Sequence, residues 1–132
     1  MNTVKVKVIE NGPRNALILV YLQSDGVEGE LVSQTLVDPV ADLGMSPGAR
    51  LRLGRVEYNL SGFDAVLSFG SGTVEPNFKW VITEGANAPV DFSDWCLLLD
   101  DSGIDGNEKL QISTVGFDNS ADMGSILIRL IK

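Results

Sequence analysis

The sequence has no histidine and a single cysteine, Cys96. Without histidine, Ser-His-Asp and Cys-His catalysis are excluded, and so are His-ligated zinc, iron and copper. One cysteine rules out an intrachain disulfide and a Cys-based zinc centre. Cys96 stands in an apolar run with no basic neighbour to depress its pKa, and it reads as a small buried hydrophobe. No phosphate-binding G-x-x-x-x-G-K-[ST] loop occurs. Gly70-Ser71-Gly72-Thr73 lacks both the lysine and a following helix, so it reads as a turn. Basic residues are also scarce, with 10 Lys and Arg against 18 Asp and Glu and a net charge of −8. The imbalance is uneven: residues 1–66 carry six bases against eight acids, and residues 67–132 carry four against ten. Such a surface repels phosphate backbones and anionic bilayers, which excludes non-specific nucleic-acid binding and membrane adsorption. No apolar run approaches the ~20 residues that span a bilayer. Residues 1–7 lack the apolar core and cleavage site of a signal peptide, so synthesis in a cytoplasm without export by that route is expected.

What is present is alternation. Val4, Val6 and Val8 alternate with Lys5 and Lys7, a half-buried strand whose lysines suit an edge or a solvent face. Residues 16–22 are apolar on both faces, which predicts a central strand. Residues 31–37 form a shorter candidate. Asp38 and Pro39 fit the N-cap and first position of one helical turn that Gly44 and Pro47 stop, so at most one short helix is expected. Leu51 and Leu53 point inward against Arg50 and Arg52. After Gly54 the phase slips, with Val56 and Tyr58 in and Arg55 and Glu57 out, as at a β-bulge. Phe63, Ala65, Leu67 and Phe69 share a face, and residues 78–82 make a further strand. Residues 84–92 read as loop. Residues 95–99 and 109–115 read as two arms of a hairpin around an acid-rich turn, and residues 125–132 as a closing strand.

About eight or nine short strands between Gly, Pro, Asn and Asp loops predict one all-β domain spanning residues 1–132. The expected architecture is an antiparallel β-sandwich, jelly-roll-like or another Greek key.

Paired carboxylates are the catalytic chemistry left to such a chain, as in glycoside hydrolysis. Asp91, Asp94, Asp100, Asp101, Asp105 and Glu108 are the candidates, but short strands leave little chain for a cleft, and the reading is non-enzymatic. Asp101, Asp105 and Gly106 match positions one, five and six of a calcium loop. Gly103 at position three and Ile112 at position twelve do not, and the flanks are strands, so a solvated turn is the plainer reading. Phe78, Trp80, Phe92 and Trp95 lie within eighteen residues. They offer a sugar platform, with core packing the plainer account. Arg50, Arg52 and Arg55 form a basic cluster, either a solvated strand face or a contact for an acidic protein partner. No residue is assigned as catalytic, cofactor-binding or metal-ligating, and no cofactor is expected. Strands near both ends of the sequence, residues 4–9 and 126–131, offer backbone pairing to a neighbour if either lies on an edge.

The chain resembles small β-sandwich virion proteins of tailed bacteriophages, such as capsid decoration (cement) proteins and head–tail or tail components. The resemblance lies in the absence of histidine, the lone cysteine and the many short strands, and most of all in residues 106–114 and 124–132. It implies a non-enzymatic structural role in the virion, with the major capsid protein or other virion proteins as partners. It also implies a homo-oligomer, such as a trimer, and it transfers no individual functional residue. The alternative is a carbohydrate- or host-receptor-binding module using exposed tryptophans, with or without calcium. A glycan-cleaving enzyme ranks third.

Overall fold

A computed structural model of the chain describes residues 1–46, 51–70, 77–86, 89–91, 98–99 and 109–132. The alternating stretches become β1 (Thr3–Asn11), β2 (Asn15–Gln23), β3 (Gln34–Val37), β4 (Arg52–Ser61), β5 (Asp64–Gly70) and β6 (Asn77–Ile82). Three two-residue segments follow, β7 (Gly85–Ala86), β8 (Val90–Asp91) and β9 (Leu98–Leu99), and then β10 (Lys109–Val115) and β11 (Met123–Ile131). All pairings are antiparallel. One sheet runs β1-β2-β11-β4, with β7, β8 and β9 along the far side of β4, and the other runs β3-β10-β5-β6. With β7 to β9 taken as one interrupted edge strand there are nine strands in two sheets, the all-β sandwich expected.

The order is that of a jelly roll. β2 pairs with β11, β3 with β10, β4 with β7 to β9, and β5 with β6. The chain is thus a set of nested antiparallel pairs wrapped across two sheets, to which β1 adds one more edge strand beside β2.

Period-two alternation builds the core between the sheets. Ile18, Val20 and Leu22 of β2, Ile126, Ile128 and Leu130 of β11, and Leu67 and Phe69 of β5 are sealed from solvent. Each buried side chain of this size contributes about 1.5–3 kcal/mol. Phe63 and Phe117 meet edge-to-face with centroids 4.6 Å apart.

Two local expectations hold in detail. Opposite β11, Arg55 pairs with Arg129 and Leu53 with Leu130, which leaves Gly54 as the extra residue of a bulge. A Cβ there would lie 3.2 Å from Ile131 Cγ1, so the tight approach favours glycine. The helix α1 (Pro39–Leu43) has Pro39 in its first turn, and the Asp38 carboxylate accepts from the Val40 and Ala41 amides at 3.1 and 3.3 Å. Gly44, at φ 66°, ends it in the left-handed conformation that favours glycine. The long 24–33 connection is held to the far end of the chain. Glu30 accepts from the Gly116 and Phe117 amides at 2.6 and 2.9 Å, and from Thr114 Oγ1 at 2.7 Å.

Three expectations need correction. The hairpin expected of residues 95–99 and 109–115 is not formed by their described part, because β9 pairs with β4 in the larger sheet while β10 pairs with β5 and β3 in the smaller. Residues 95–97 lie outside the described residues. Sequence adjacency favours a hairpin, but the nested pairing of a jelly roll sends most consecutive strands, β9 and β10 among them, to opposite sheets. Residues 84–92 are not wholly loop, since β7 and β8 borrow backbone partners from β4. Residues 16–22 do form a central strand, but only one face is buried: Leu19 and Tyr21 are each 37% exposed. Of the two terminal strands, β1 is an edge, whereas β11 lies between β2 and β4 and has no free backbone edge. Among the described residues no helix is long and apolar enough to cross a membrane.

Candidate interaction surface

Register places the outward residues of the larger sheet in rows that run across its four long strands. The middle row reads Lys7, Leu19, Leu127, Glu57 across β1, β2, β11 and β4. On one side of it lies Lys5, Tyr21, Ser125, Asn59, and on the other Glu10, Leu17, Arg129, Arg55. The face therefore has an apolar centre, Leu17, Leu19, Tyr21 and Leu127, between two charged flanks. Lys5 and Lys7 stand on the β1 flank with Glu10, and Glu57 and Arg55 on the β4 flank.

Local forces fix several of these side chains. Arg55 and Glu57 lie two residues apart on one face of β4 and form an ion pair at 3.0 Å. The Tyr21 hydroxyl donates to Gln23 Oε1 at 2.9 Å, which lays the phenol along its own strand. The bulge at Gly54 turns both Arg52 and Arg55 outward although they are three apart in sequence. Tyr21, Asn59, Ser125 and Met123 border an open depression of about 340 Å³. Smaller hollows continue along Leu19, Leu127, Arg129 and Glu57. These are undulations of a sheet face and not a cleft that surrounds a substrate.

The sequence-predicted candidates scatter. Arg52 and Arg55 lie on this face and are joined there by Arg129, while Arg50 lies outside the described residues. Asp91 is paired in register with Arg55 at the β8 edge. Trp80 of β6 is opposite Leu67 and packs, partly buried, against the core, in line with the packing account. Ile112, position twelve of the calcium pattern, is sealed in the core and supplies no oxygen. Asp94, Asp100, Asp101, Asp105, Glu108, Phe92, Trp95, Cys96 and the 71–73 turn lie outside the described residues, as does the Asp101, Asp105 and Gly106 calcium constellation. Among the described residues no three acids or cysteines gather as a metal site.

The face itself is not evident from the sequence, where Leu17, Leu19 and Tyr21 read as a second buried side of the strand. Lysines in phase on residues 5 and 7, and Ser125 and Arg129 in phase on the final strand, mark that side as facing solvent.

Among the described residues, the one strong electrostatic perturbation lies elsewhere. The Met1 ammonium stands 2.6 Å from Asp25 Oδ2. That contact, with the Glu28 and Val27 amides, lowers the Asp25 carboxyl to about 2. The Asp25 carboxylate in turn raises the pKa of the ammonium.

No protein-family model matches this sequence, and no curated protein matches it either. Fold and surface together define a jelly-roll β-sandwich whose larger sheet keeps its outer face open.

Proposed function

We propose that this chain is a virion structural protein of a tailed bacteriophage, most simply a capsid decoration (cement) protein that stabilises the shell by bridging neighbouring subunits. The observation that supports this reading is the open face of the larger sheet. An apolar stripe between charged flanks is a surface made for another surface: it removes apolar area from water and lets the rim set orientation. Jelly rolls serve as viral shell domains and as lectins, and among the described residues the face brings no acid pair into a cleft.

Co-sedimentation with purified shells of the phage that encodes the chain tests the proposal. Binding that saturates and raises the temperature of shell disassembly is expected. A protein that stays in the supernatant at saturating concentration overturns it.

A second reading, binding to glycans or a host receptor, has one observation in its favour. The exposed ring of Tyr21 stands beside Asn59 and Ser125, an aromatic plate with amide and hydroxyl groups next to it. Binding to a glycan array that Tyr21→Ala abolishes, together with no shell binding, would replace the first reading by this one.

A further inference from the structure

We infer that the open face of the larger sheet is covered by a second copy of this chain, packed face to face about a two-fold axis that runs along the strands between β2 and β11. The inference rests on reading that face as an assembly surface, and not on the identity of the shell.

The argument is the charge pattern. A two-fold along the strands exchanges β1 with β4 and β2 with β11 across the interface and leaves each row facing itself. Lys7 then faces Glu57 of the second copy, and Glu10 faces Arg55. Leu19 faces Leu127, and Leu17 lies over the stem of Arg129. Lys5 and Tyr21 face Asn59 and Ser125, which accept and donate hydrogen bonds. The Arg55–Glu57 ion pair at 3.0 Å becomes the middle of a chain, Lys7 to Glu57 to Arg55 to Glu10, whose outer members come from the other copy. The symmetry repeats that chain, so four charge contacts of alternating sign frame one apolar centre.

Charge separates this arrangement from the others. A two-fold across the strands through the middle row sets Lys7 against Lys7 and Glu57 against Glu57, and like charges facing each other are destabilising. Half a row away it sets Lys7 against Glu10 and Glu57 against Arg55, an arrangement in which the K7E/E57K double variant would not recover. Continuation of the sheet through the β1 edge meets Lys5, Lys7 and the register shift between Val8 and Glu10, features that discourage edge pairing.

Size is compatible as well. Four lanes about 4.8 Å apart and nine residues of about 3.3 Å each give a flat area of roughly 600 Å² per copy, a modest interface that dissociates on dilution. Aligned packing of two such faces is the ordinary geometry of sheets about 10 Å apart.

Sedimentation equilibrium over a dilution series, with light scattering, tests the inference. The wild type is expected as a monomer–dimer equilibrium that loosens with added salt. Lys7→Glu and Glu57→Lys are each expected to weaken the dimer about tenfold or more, and the K7E/E57K double variant to recover to within about threefold of wild type. Within one copy these residues are three lanes apart, so recovery reports contact between copies and not repair of the fold. A wild type that is monomeric throughout, a trimer, or a dimer indifferent to K7E, E57K and Leu19→Asp would each overturn the inference. A monomer that still co-sediments with shells sinks the dimer alone. A dimer that ignores shells sinks only the virion role.

Discussion

The two sheets share one core but treat their outer surfaces differently. In the larger sheet β2 and β11 alternate between buried and accessible residues along most of their length. In the smaller sheet the outward positions Ser68 and Gln111, opposite each other in register, are buried at 0% and 2% exposure. Ser68 Oγ and Gln111 Oε1 also have no hydrogen-bond partner. One outer face thus keeps leucines and a tyrosine in contact with water, while the other has withdrawn two polar side chains from it. Both placements run against solvation, in opposite senses. An open apolar stripe lowers its free energy by finding a cover, whereas a buried orphan oxygen keeps a desolvation cost of about 1–3 kcal/mol within the fold. The first is relieved by a cover from outside and the second only within the fold, although Val81 on the outer side of the smaller sheet is itself 58% exposed.

Two neighbouring substitutions on β11 separate the buried side from the open side most clearly. Ile128→Ala, on the core side, is expected to cost about 2–5 kcal/mol in urea unfolding. Leu127→Ala, the adjacent half-buried residue on the open side, is expected to cost about 1 kcal/mol at dilutions where the chain is monomeric. Equal losses would mean that the open face is buried within the monomer.

Next in size is the smaller sheet. Ser68→Ala removes an orphan hydroxyl and leaves its neighbour's environment intact, so stability is expected to hold or to rise by up to about 1 kcal/mol. A clear loss in thermal unfolding would show that the hydroxyl has a partner in solution.

The smallest effect concerns pH. Asp25 has a lowered carboxyl pKa, so its contribution is complete above its ordinary value near 3.8 and disappears as pH falls toward about 2. The ammonium has a raised pKa, so its contribution is complete below 8.0 and is lost as pH rises beyond that. Thermal midpoints are expected to sag slightly at both ends, and Asp25→Asn should flatten both shoulders. A variant whose profile matches the wild type would remove the ion pair as the cause.

How far the sequence can be read follows from the range of the forces involved. Local devices were legible: the bulge at Gly54, the Asp38 cap with Pro39, and the single inward face of Phe63, Ala65, Leu67 and Phe69. Each depends on residues a few positions apart. Partnership between distant strands was not legible. Residues 95–99 and 109–115 read as two arms of a hairpin, yet nothing local states that Leu98–Leu99 joins β4 and residues 109–115 join β5. The candidate surface suffered most, because Leu19 and Tyr21 look like core until β1 and β11 are known to flank them with Lys5, Lys7 and Arg129. Arg55 was legible as a surface residue, but its role beside Glu57 and Arg129 needed the register.

The position of β11 carries a consequence for how the molecule comes into being. Met123 pairs with Gln23 on one side and Ser61 on the other, so a strand made late slots between two made early. Until it arrives, β2 and β4 each leave the ribosome with one side of their backbone unmatched and cannot find each other directly. Ordering must therefore wait for contacts that span most of the sequence, which slows it and exposes sticky strand sides meanwhile. A chain built this way gains from slow synthesis or from chaperones, and stalling it before residue 123 should yield aggregate and not a smaller version of the fold.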